Sequence, residues 1–179
     1  VANVKIGDRE LKYGDDYFVQ AMYNNDNNAS ASQFVFAGYG ISEEKYDDYK
    51  NIDVQGKVVV FFLGEPKENG NFLLSGNSNE YSKYTYPGIL TKIKIAKDKG
   101  AVAAVVINQA TESFNSNLVD YNSNSNVYYP NKSENEGIDF ITMNTRAAKE
   151  IFTAWSAESL IAMAKKYNAF SASTSTPIS

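Results

Sequence analysis

Three adjacent carboxylate pairs are the residues of this 179-residue chain best suited by type to chemistry: Asp15-Asp16, Glu43-Glu44 and Asp47-Asp48. Two carboxylates can share acid and base work when their environments drive their pKa values apart. Side chains that are adjacent in a sequence usually point in different directions, however. We therefore predict that Asp47 and Asp48 form a turn ahead of the following strand, and that none of the pairs is a catalytic or metal site.

The amino-acid composition narrows the possible chemistry further. The chain contains no His and no Cys. It cannot bind zinc through imidazole or thiolate ligands, and it cannot use a Ser–His or Cys–His nucleophile. We predict that this chain supplies no catalytic residue, binds no metal and is not an enzyme by itself.

Two further patterns resemble ligand sites only superficially. The segment Gly38-Tyr39-Gly40 is rich in glycine, but it lacks the GxGxxG spacing of a phosphate loop. A tight turn or bulge at the end of a strand explains it better. Lys92, Lys94, Lys97 and Lys99 form a basic row that Asp98 interrupts, and we predict a solvated helix face.

Tyrosines are the best candidates for contact with a substrate or a partner. Tyr combines a broad apolar ring with a hydroxyl group, and it is enriched at protein interfaces. The alternative is that these tyrosines pack a long loop onto the sheet. The candidates are Tyr81, Tyr84, Tyr86, Tyr128 and Tyr129.

Charge and hydropathy exclude two classes of partner. The net charge of −4 and the pI near 4.9 argue against binding to nucleic acid or to anionic membranes. No apolar run approaches the ~20 residues of a membrane-spanning helix.

Because the chain begins with Val1 rather than Met, we expect it to be an excised or processed fragment.

The elements that must position these residues centre on residues 58–63, a run of six apolar residues typical of a strand buried on both faces. Residues 34–36 predict a second strand. A helix opened by Pro87, with Ile89 and Ile93 on its apolar face and Gly100 as its left-handed cap, leads to a third strand at 101–107. This order is a βαβ unit.

The remaining segments give weaker patterns. A hairpin around Gly7-Asp8 is predicted in residues 1–13, and a strand at residues 138–142 precedes a helix capped by Asn144 or Thr145. Further predictions are a possible strand at 17–22, a long aperiodic loop at 65–87, a low-complexity excursion at 111–137, a last helix beginning near Ser156 and an unstructured tail at 171–179.

The order of three segments resembles the protease-associated (PA) domain inserted in secreted zinc aminopeptidases of the transferrin-receptor/glutamate-carboxypeptidase type. The segments are residues 36–41 (FAGYGI), 46–66 (YDDYKNIDVQGKVVVFFLGEP) and 92–104 (KIKIAKDKGAVAA). The resemblance covers roughly residues 33–142. It implies a mixed α+β fold, a PA-type β-sandwich-like (swivelling β/β/α) domain with flanking helices.

The predicted organisation of the chain has four parts. Residues 1–32 form a hairpin and loop that could belong to the scaffold of a neighbouring peptidase domain. The PA core spans residues 33–143, helices follow at 144–170, and residues 171–179 are a tail or linker.

The resemblance implies a non-catalytic domain that shapes substrate access and mediates protein or peptide contacts in a larger zinc aminopeptidase. Its partners would be the peptidase domain of the same polypeptide and a peptide substrate, with zinc held by that neighbouring domain. The implied location is secreted, periplasmic or cell-surface. Separately, the excess of Lys over Arg and the many Asn residues predict an AT-rich bacterial source. The first alternative is a stand-alone peptide- or glycan-binding module. The second is an enzyme complete in 179 residues, which would need two close carboxylates, one with a raised pKa.

Overall fold

A computed structural model describes residues 3–20, 28–76, 82–85, 88–123, 137–151 and 176–177. The predicted last helix near Ser156 and the helix-opening Pro87 lie outside these ranges. The strands are β1 (Lys5–Ile6), β2 (Arg9–Glu10), β3 (Tyr17–Phe18), β4 (Gln33–Phe36), β5 (Ser42–Glu43), β6 (Tyr46–Asp47), β7 (Val58–Phe62), β8 (Lys67–Glu68), β9 (Asn71–Phe72), β10 (Ala103–Asn108), β11 (Phe140–Asn144) and β12 (Thr176–Pro177). The helices are α1 (Ile89–Asp98), α2 (Ser116–Ser123) and α3 (Thr145–Ile151).

A mixed six-stranded sheet in the order β12-β4-β7-β10-β11-β3 forms the centre of the molecule. The four inner strands, β4, β7, β10 and β11, run parallel, whereas β3 and β12 pair antiparallel at the two edges. The predicted central strand is β7, and its residues from Val59 to Phe62 are all buried. Parallel strands covered on both faces are apolar throughout, which is why β7 and β10 lack alternation.

Two layers cover the sheet. Helix α1 packs Ile89, Ile93 and Ala96 onto one face, which β7 meets with Val59 and Phe61. Helix α3 and the N-terminal segment cover the opposite face, where Ala147, Leu11 and Tyr17 contact Val60 and Phe62. The mixed α+β fold expected from the sequence is confirmed.

The end of α1 follows the prediction closely. Gly100 has a φ of 89°, in the left-handed region that glycine adopts without strain. The amide of Gly100 donates to the carbonyl of Lys97 at 2.8 Å, and the amide of Ala101 donates to Ala96 at 3.0 Å. This pair of bonds is a Schellman motif, so the chain leaves α1 already directed towards β10.

The capping prediction for α3 is also confirmed. Oδ1 of Asn144 accepts a hydrogen bond from the amide of Ala147 at 2.9 Å. Asn144 is therefore the N-cap, and α3 begins directly at the end of β11.

The N-terminal hairpin forms as predicted, with β1 and β2 antiparallel on either side of Gly7-Asp8. It is joined to α3 by charge. Asp16 is ion-paired with Arg9 at 3.4 Å and with Arg146 at 3.2 Å, and Arg9 also reaches Glu150 at 2.5 Å. Arg9 and Arg146 are the only two arginines of the chain.

Three segments differ from the sequence predictions. A short hairpin, β8–β9, lies in the loop predicted to be aperiodic, because two-residue strands are too short to show a period of two. Helix α2 lies in the predicted low-complexity excursion. Among its residues 116–120, whose burial is described, Val119 is the buried hydrophobic, so the sequence shows no clear apolar stripe there. Within the predicted tail, Thr176 and Pro177 pair with β4.

Candidate functional site at the carboxyl edge of the sheet

The longest connections of the fold leave from one edge of the sheet, where the parallel strands β4, β7 and β10 end. Ligands of open parallel sheets commonly bind at this edge. The segments that meet there are the turn after β4, the β5–β6 hairpin, the segment from Glu65 through the β8–β9 hairpin, and residues 82–85. We call their exposed residues the carboxyl-edge surface, and beneath it lies a cluster of three buried charged groups.

Lys92 is the centre of that cluster, and its position corrects a prediction. The lysine-rich pattern predicts a solvated helix face for Lys92, but the structure buries it completely, at 0% exposure. The other three lysines of the row are exposed or partly exposed, as predicted. A signal was present in the sequence: Lys92 lies three residues after Ile89 and four before Ala96, which places it on the apolar stripe.

The ammonium of Lys92 binds backbone rather than a carboxylate. Its Nζ donates to the carbonyl of Phe62 at 2.9 Å and to the carbonyl of Gly64, at the carboxyl end of β7. Burial lowers the pKa of Lys92 to about 7, although the charges of Asp48 and Glu65 oppose that shift. Lys92 thus ties α1 to the end of the central strand.

Asp48 is the second buried charge, at 5% exposure. Its Oδ2 accepts the amides of Tyr39 at 3.0 Å and Ile41 at 3.1 Å, and its Oδ1 accepts the hydroxyl of Tyr46 at 2.8 Å. Burial raises the pKa of Asp48 to about 6 despite these donors and the charge of Lys92. Asp48 therefore organises the turn after β4, a larger role than that of a turn former before β7.

The turn itself confirms the interpretation of Gly38-Tyr39-Gly40 as a tight turn. Both glycines have positive φ, 49° at Gly38 and 68° at Gly40. A Cβ added at Gly40 would lie 2.7 Å from Cγ of Phe61, so only glycine lets the turn lie against β7. The backbone of this turn is occupied by Asp48, which leaves its amides unavailable to a phosphate.

Glu65 is the third buried charge, at 3% exposure. Its carboxylate accepts the amides of Leu74 and Ser75 and the hydroxyl of Ser75, each at 2.6 Å, and the hydroxyl of Ser82 at 2.7 Å. Burial works to raise the pKa of Glu65, but these donors lower it overall. The carboxylate of Glu65 therefore holds together the two ends of the segment that carries β8 and β9.

Tyr84 is the one candidate contact tyrosine within the described residues, and it is buried, at 4% exposure. Its hydroxyl donates to Glu43, and its ring lies 4.9 Å from Nζ of Lys83 and 5.8 Å from Nζ of Lys92. This placement matches the alternative in which the tyrosine packs the loop onto the sheet. Tyr81, Tyr86, Tyr128 and Tyr129 lie outside the described residues, and their contact role stays a prediction.

The residues of the adjacent carboxylate pairs have different roles in the structure. Oδ1 of Asp47 accepts the amide of Tyr49 at 2.9 Å, as expected of a turn former, whereas Asp48 points inward. Burial works to raise the pKa of Asp16, but the amide of Lys12 and the two arginines lower it overall. Within the described ranges, no group of three or more His, Cys, Asp or Glu side chains could hold a metal ion.

Comparisons with known proteins agree with this architecture. A family model of the PA domain matches residues 18–151. Among solved structures, an aminopeptidase from Aneurinibacillus sp. strain AM-1 has a similar fold, with a TM-score of 0.50 and 15% sequence identity over 87% of this chain. The match spans only 27% of the aminopeptidase chain. A search of curated proteins found no match.

No helix in the described part of the chain is long and apolar enough to cross a membrane. The family match covers well over half of the sequence and includes the whole parallel sheet. The chain belongs to the PA domain family.

Proposed function

We propose that this chain is a non-catalytic PA domain of a larger zinc-dependent aminopeptidase, in which it shapes substrate access and contacts peptide or protein. The family match over residues 18–151 carries the proposal. The fold likeness to about a quarter of an aminopeptidase supports it, because a domain of this size leaves ample chain for a catalytic domain.

The chemistry would belong to the neighbouring domain. Metal-assisted hydrolysis of an N-terminal peptide bond by two zinc ions needs ligands that activate a water molecule. This chain has no His and no Cys, so we assign the zinc ligands to residues outside it. The partners in the proposal are the peptidase domain of the same polypeptide and its peptide substrate.

The carboxyl-edge surface is the part of the domain that we assign to access. Five consecutive residues of the β8–β9 hairpin, 67–71, are exposed. The hairpin is fixed at its base, where Phe72 is buried and Glu65 binds the following backbone. A polar projection that is anchored at its base in the closed state can restrict passage by its shape.

We extend the proposal to a secreted, periplasmic or cell-surface location in a bacterium. The resemblance to secreted zinc aminopeptidases supports it. Detection of the protein in the culture medium, periplasm or surface fraction of its source cells would test this part, and a purely cytoplasmic location would contradict it.

The proposal is tested by sequencing the native reading frame on both sides of the chain and assaying the complete product. We expect the flanks to supply His, Asp and Glu ligands. We also expect aminopeptidase activity that a chelator removes and zinc restores, and no activity in the 179-residue chain alone. A reading frame that stops near Val1 and Ser179 would contradict the proposal and favour a stand-alone peptide- or glycan-binding module.

A further inference from the structure

Three charged side chains from three different segments are buried beneath the carboxyl-edge surface, and the charges of Asp48 and Glu65 act on Lys92. Lys92 comes from α1, Asp48 from the segment after β6 and Glu65 from the segment after β7. Lys92 is linked through Phe62 and Gly64 to the end of β7, Asp48 holds the turn after β4, and Glu65 holds the β8–β9 excursion. Each of the three buried groups therefore anchors a different segment of this surface.

Aromatic rings enclose the ammonium of Lys92 and isolate it from water. Its Nζ lies 5.5 Å from the ring centre of Phe61, 5.8 Å from Tyr84 and 5.9 Å from Tyr39. Beyond Tyr84 lie Glu43 and Lys83. Among the described residues, the charges of Asp48 and Glu65 are the ones that favour the protonated form of Lys92. A charge in such surroundings has little hydration, so its protonation state and the packing of the loops must depend on each other.

We propose that Lys92 and Asp48 form a proton-linked latch that sets how readily the loops of the carboxyl-edge surface open. Within the proposed function, the latch would regulate passage of substrate along this edge. Only that consequence rests on the proposed function; the latch itself is a property of this chain.

The alkaline half of the latch depends on Lys92. In the closed state its pKa is about 7, whereas in an opened, hydrated state it returns towards 10.5. Between these values the open state binds the extra proton, so the closed state gains stability as the pH rises above about 7. Opening of the loops becomes progressively less favourable there.

The acidic half depends on Asp48. Its pKa is about 6 in the closed state, above the ordinary value of 3.8. Between these values the closed state binds the extra proton, so it loses stability as the pH rises towards about 6. The two halves together place easiest opening in the interval where both groups are charged, from about pH 6 to about pH 7.

Amide hydrogen exchange on the 179-residue chain tests the latch. The amides to follow are those of Leu74 and Ser75, which bind Glu65, with the amide of Gly56 as an internal reference because it binds Gly100 at the opposite edge of the sheet. After correction for intrinsic exchange, we expect the protection factors of the first two to rise severalfold from pH 7 to pH 8.5, up to about tenfold per unit. The amide of Gly56 should show no such trend.

Variants separate proton linkage from simple structural support. Lys92→Arg keeps a charge that cannot be lost in this range, and we expect its protection factors to be flat from pH 7 to pH 8.5. Lys94→Arg changes an exposed residue of the same helix and should keep the rise. A folded wild type without the rise, or an equal rise in Lys92→Arg, would overturn the alkaline half of the proposal.

The acidic half has its own readout in the turn after β4. We expect the protection factors of the Tyr39 and Ile41 amides, which bind Asp48, to fall as the pH rises from 4.5 to 6. The fall should be absent in Asp48→Asn; if it persists there, Asp48 is not the linked group. These measurements use no peptidase substrate, so their failure and the failure of the proposed aminopeptidase role are separate results.

Discussion

Lys92 is the residue on which the carboxyl edge depends most. Its side chain crosses an apolar interior to satisfy two backbone carbonyls, and it is the cation that acts on both Asp48 and Glu65. Removing one member of such a group leaves its partners buried without compensation, which costs more than the interaction itself contributes. By contrast, the exposed Lys94 of the same helix pairs with the exposed Asp98.

We therefore predict that Lys92→Met lowers the free energy of unfolding by about 2–4 kcal/mol. The matched control is Lys94→Met, on the exposed face of α1 and 3.8 Å from Asp98, which should change it by no more than about 0.5 kcal/mol. Urea denaturation followed by Trp or Tyr fluorescence measures both. Equal effects of the two substitutions would contradict the assigned role of Lys92.

The raised pKa of Asp48 gives a stability profile with a definite sign. Because the folded-state pKa of about 6 exceeds the ordinary 3.8, the stabilising contribution of this group is fully present below pH 3.8 and is lost as the pH rises through about 6. The pKa values of Asp16 and Glu65 are lowered, so these two groups change the stability of the protein mainly at pH values below their ordinary pKa values of 3.8 and 4.5. Among the described groups with shifted pKa values, Asp48 therefore contributes most between pH 4.5 and 6.

We predict that thermal stability falls from pH 4.5 to pH 6, with a slope of at most ~1.4 kcal/mol per pH unit, and that Asp48→Asn flattens this interval. Scanning calorimetry at a series of pH values measures it. A wild-type stability that rises through this interval would show that the donors around Asp48 outweigh its burial.

At the scale of elements, the connection between β4 and β5 is fixed by backbone geometry that only glycine provides. Gly40 has positive φ, and a Cβ added there would lie 2.7 Å from Cγ of Phe61. Gly70 also has positive φ, in the open tip of the β8–β9 hairpin, but nothing lies within 4 Å of a Cβ added there. Both positions require a left-handed backbone conformation, but only Gly40 lacks room for a side chain.

We predict that Gly70→Ala destabilises the protein by about 1 kcal/mol through backbone strain alone. Gly40→Ala should add about 1–3 kcal/mol for overpacking against Phe61. Chemical denaturation of the two variants gives the difference. If they are equally stable, the close approach of the turn to β7 does not constrain the fold.

The elements that the sequence predicted best are those with long apolar runs and strong end signals. Strand β7 has five residues and is buried on both faces, and α1 ends at Gly100, so local pattern and tertiary environment agree. The β8–β9 hairpin and α2 were missed because tertiary contacts, such as those of Glu65, hold segments with little periodicity of their own. The burial of Lys92 is not predicted, because the prediction of exposure follows from the charged residue type and not from the position of Lys92 on the apolar stripe.

At the scale of the whole molecule, the N-terminal segment is packed into the same core as the PA domain sheet. Leu11 is buried against the face that α3 also covers, and Asp16 joins both arginines of the chain. The sequence could not reveal this, because neither a hairpin nor a charged doublet indicates what it packs against. The division at residue 32 stays a prediction, and these contacts support one folding unit.

We predict that Leu11→Ala lowers the free energy of unfolding of the whole domain by about 2–5 kcal/mol, in a single cooperative transition. The control is Leu118→Ala, at a leucine that is 44% exposed, and its effect should be within about 0.5 kcal/mol. Fluorescence and circular dichroism followed together in denaturant measure both. A near-zero effect of Leu11→Ala would mean that the N-terminal segment belongs to a separate scaffold.

We propose above all that this PA domain shapes substrate access in an aminopeptidase. The most direct measurement is kcat/KM of the complete protein for short and long peptides. It compares the wild type with a hairpin variant that carries both Glu68→Ala and Asn71→Ala in the exposed β8–β9 hairpin. We predict that these changes alter the preference between long and short peptides by about tenfold, whereas Lys94→Ala and Asp98→Ala on α1 do not. An unchanged preference in the hairpin variant would contradict the account.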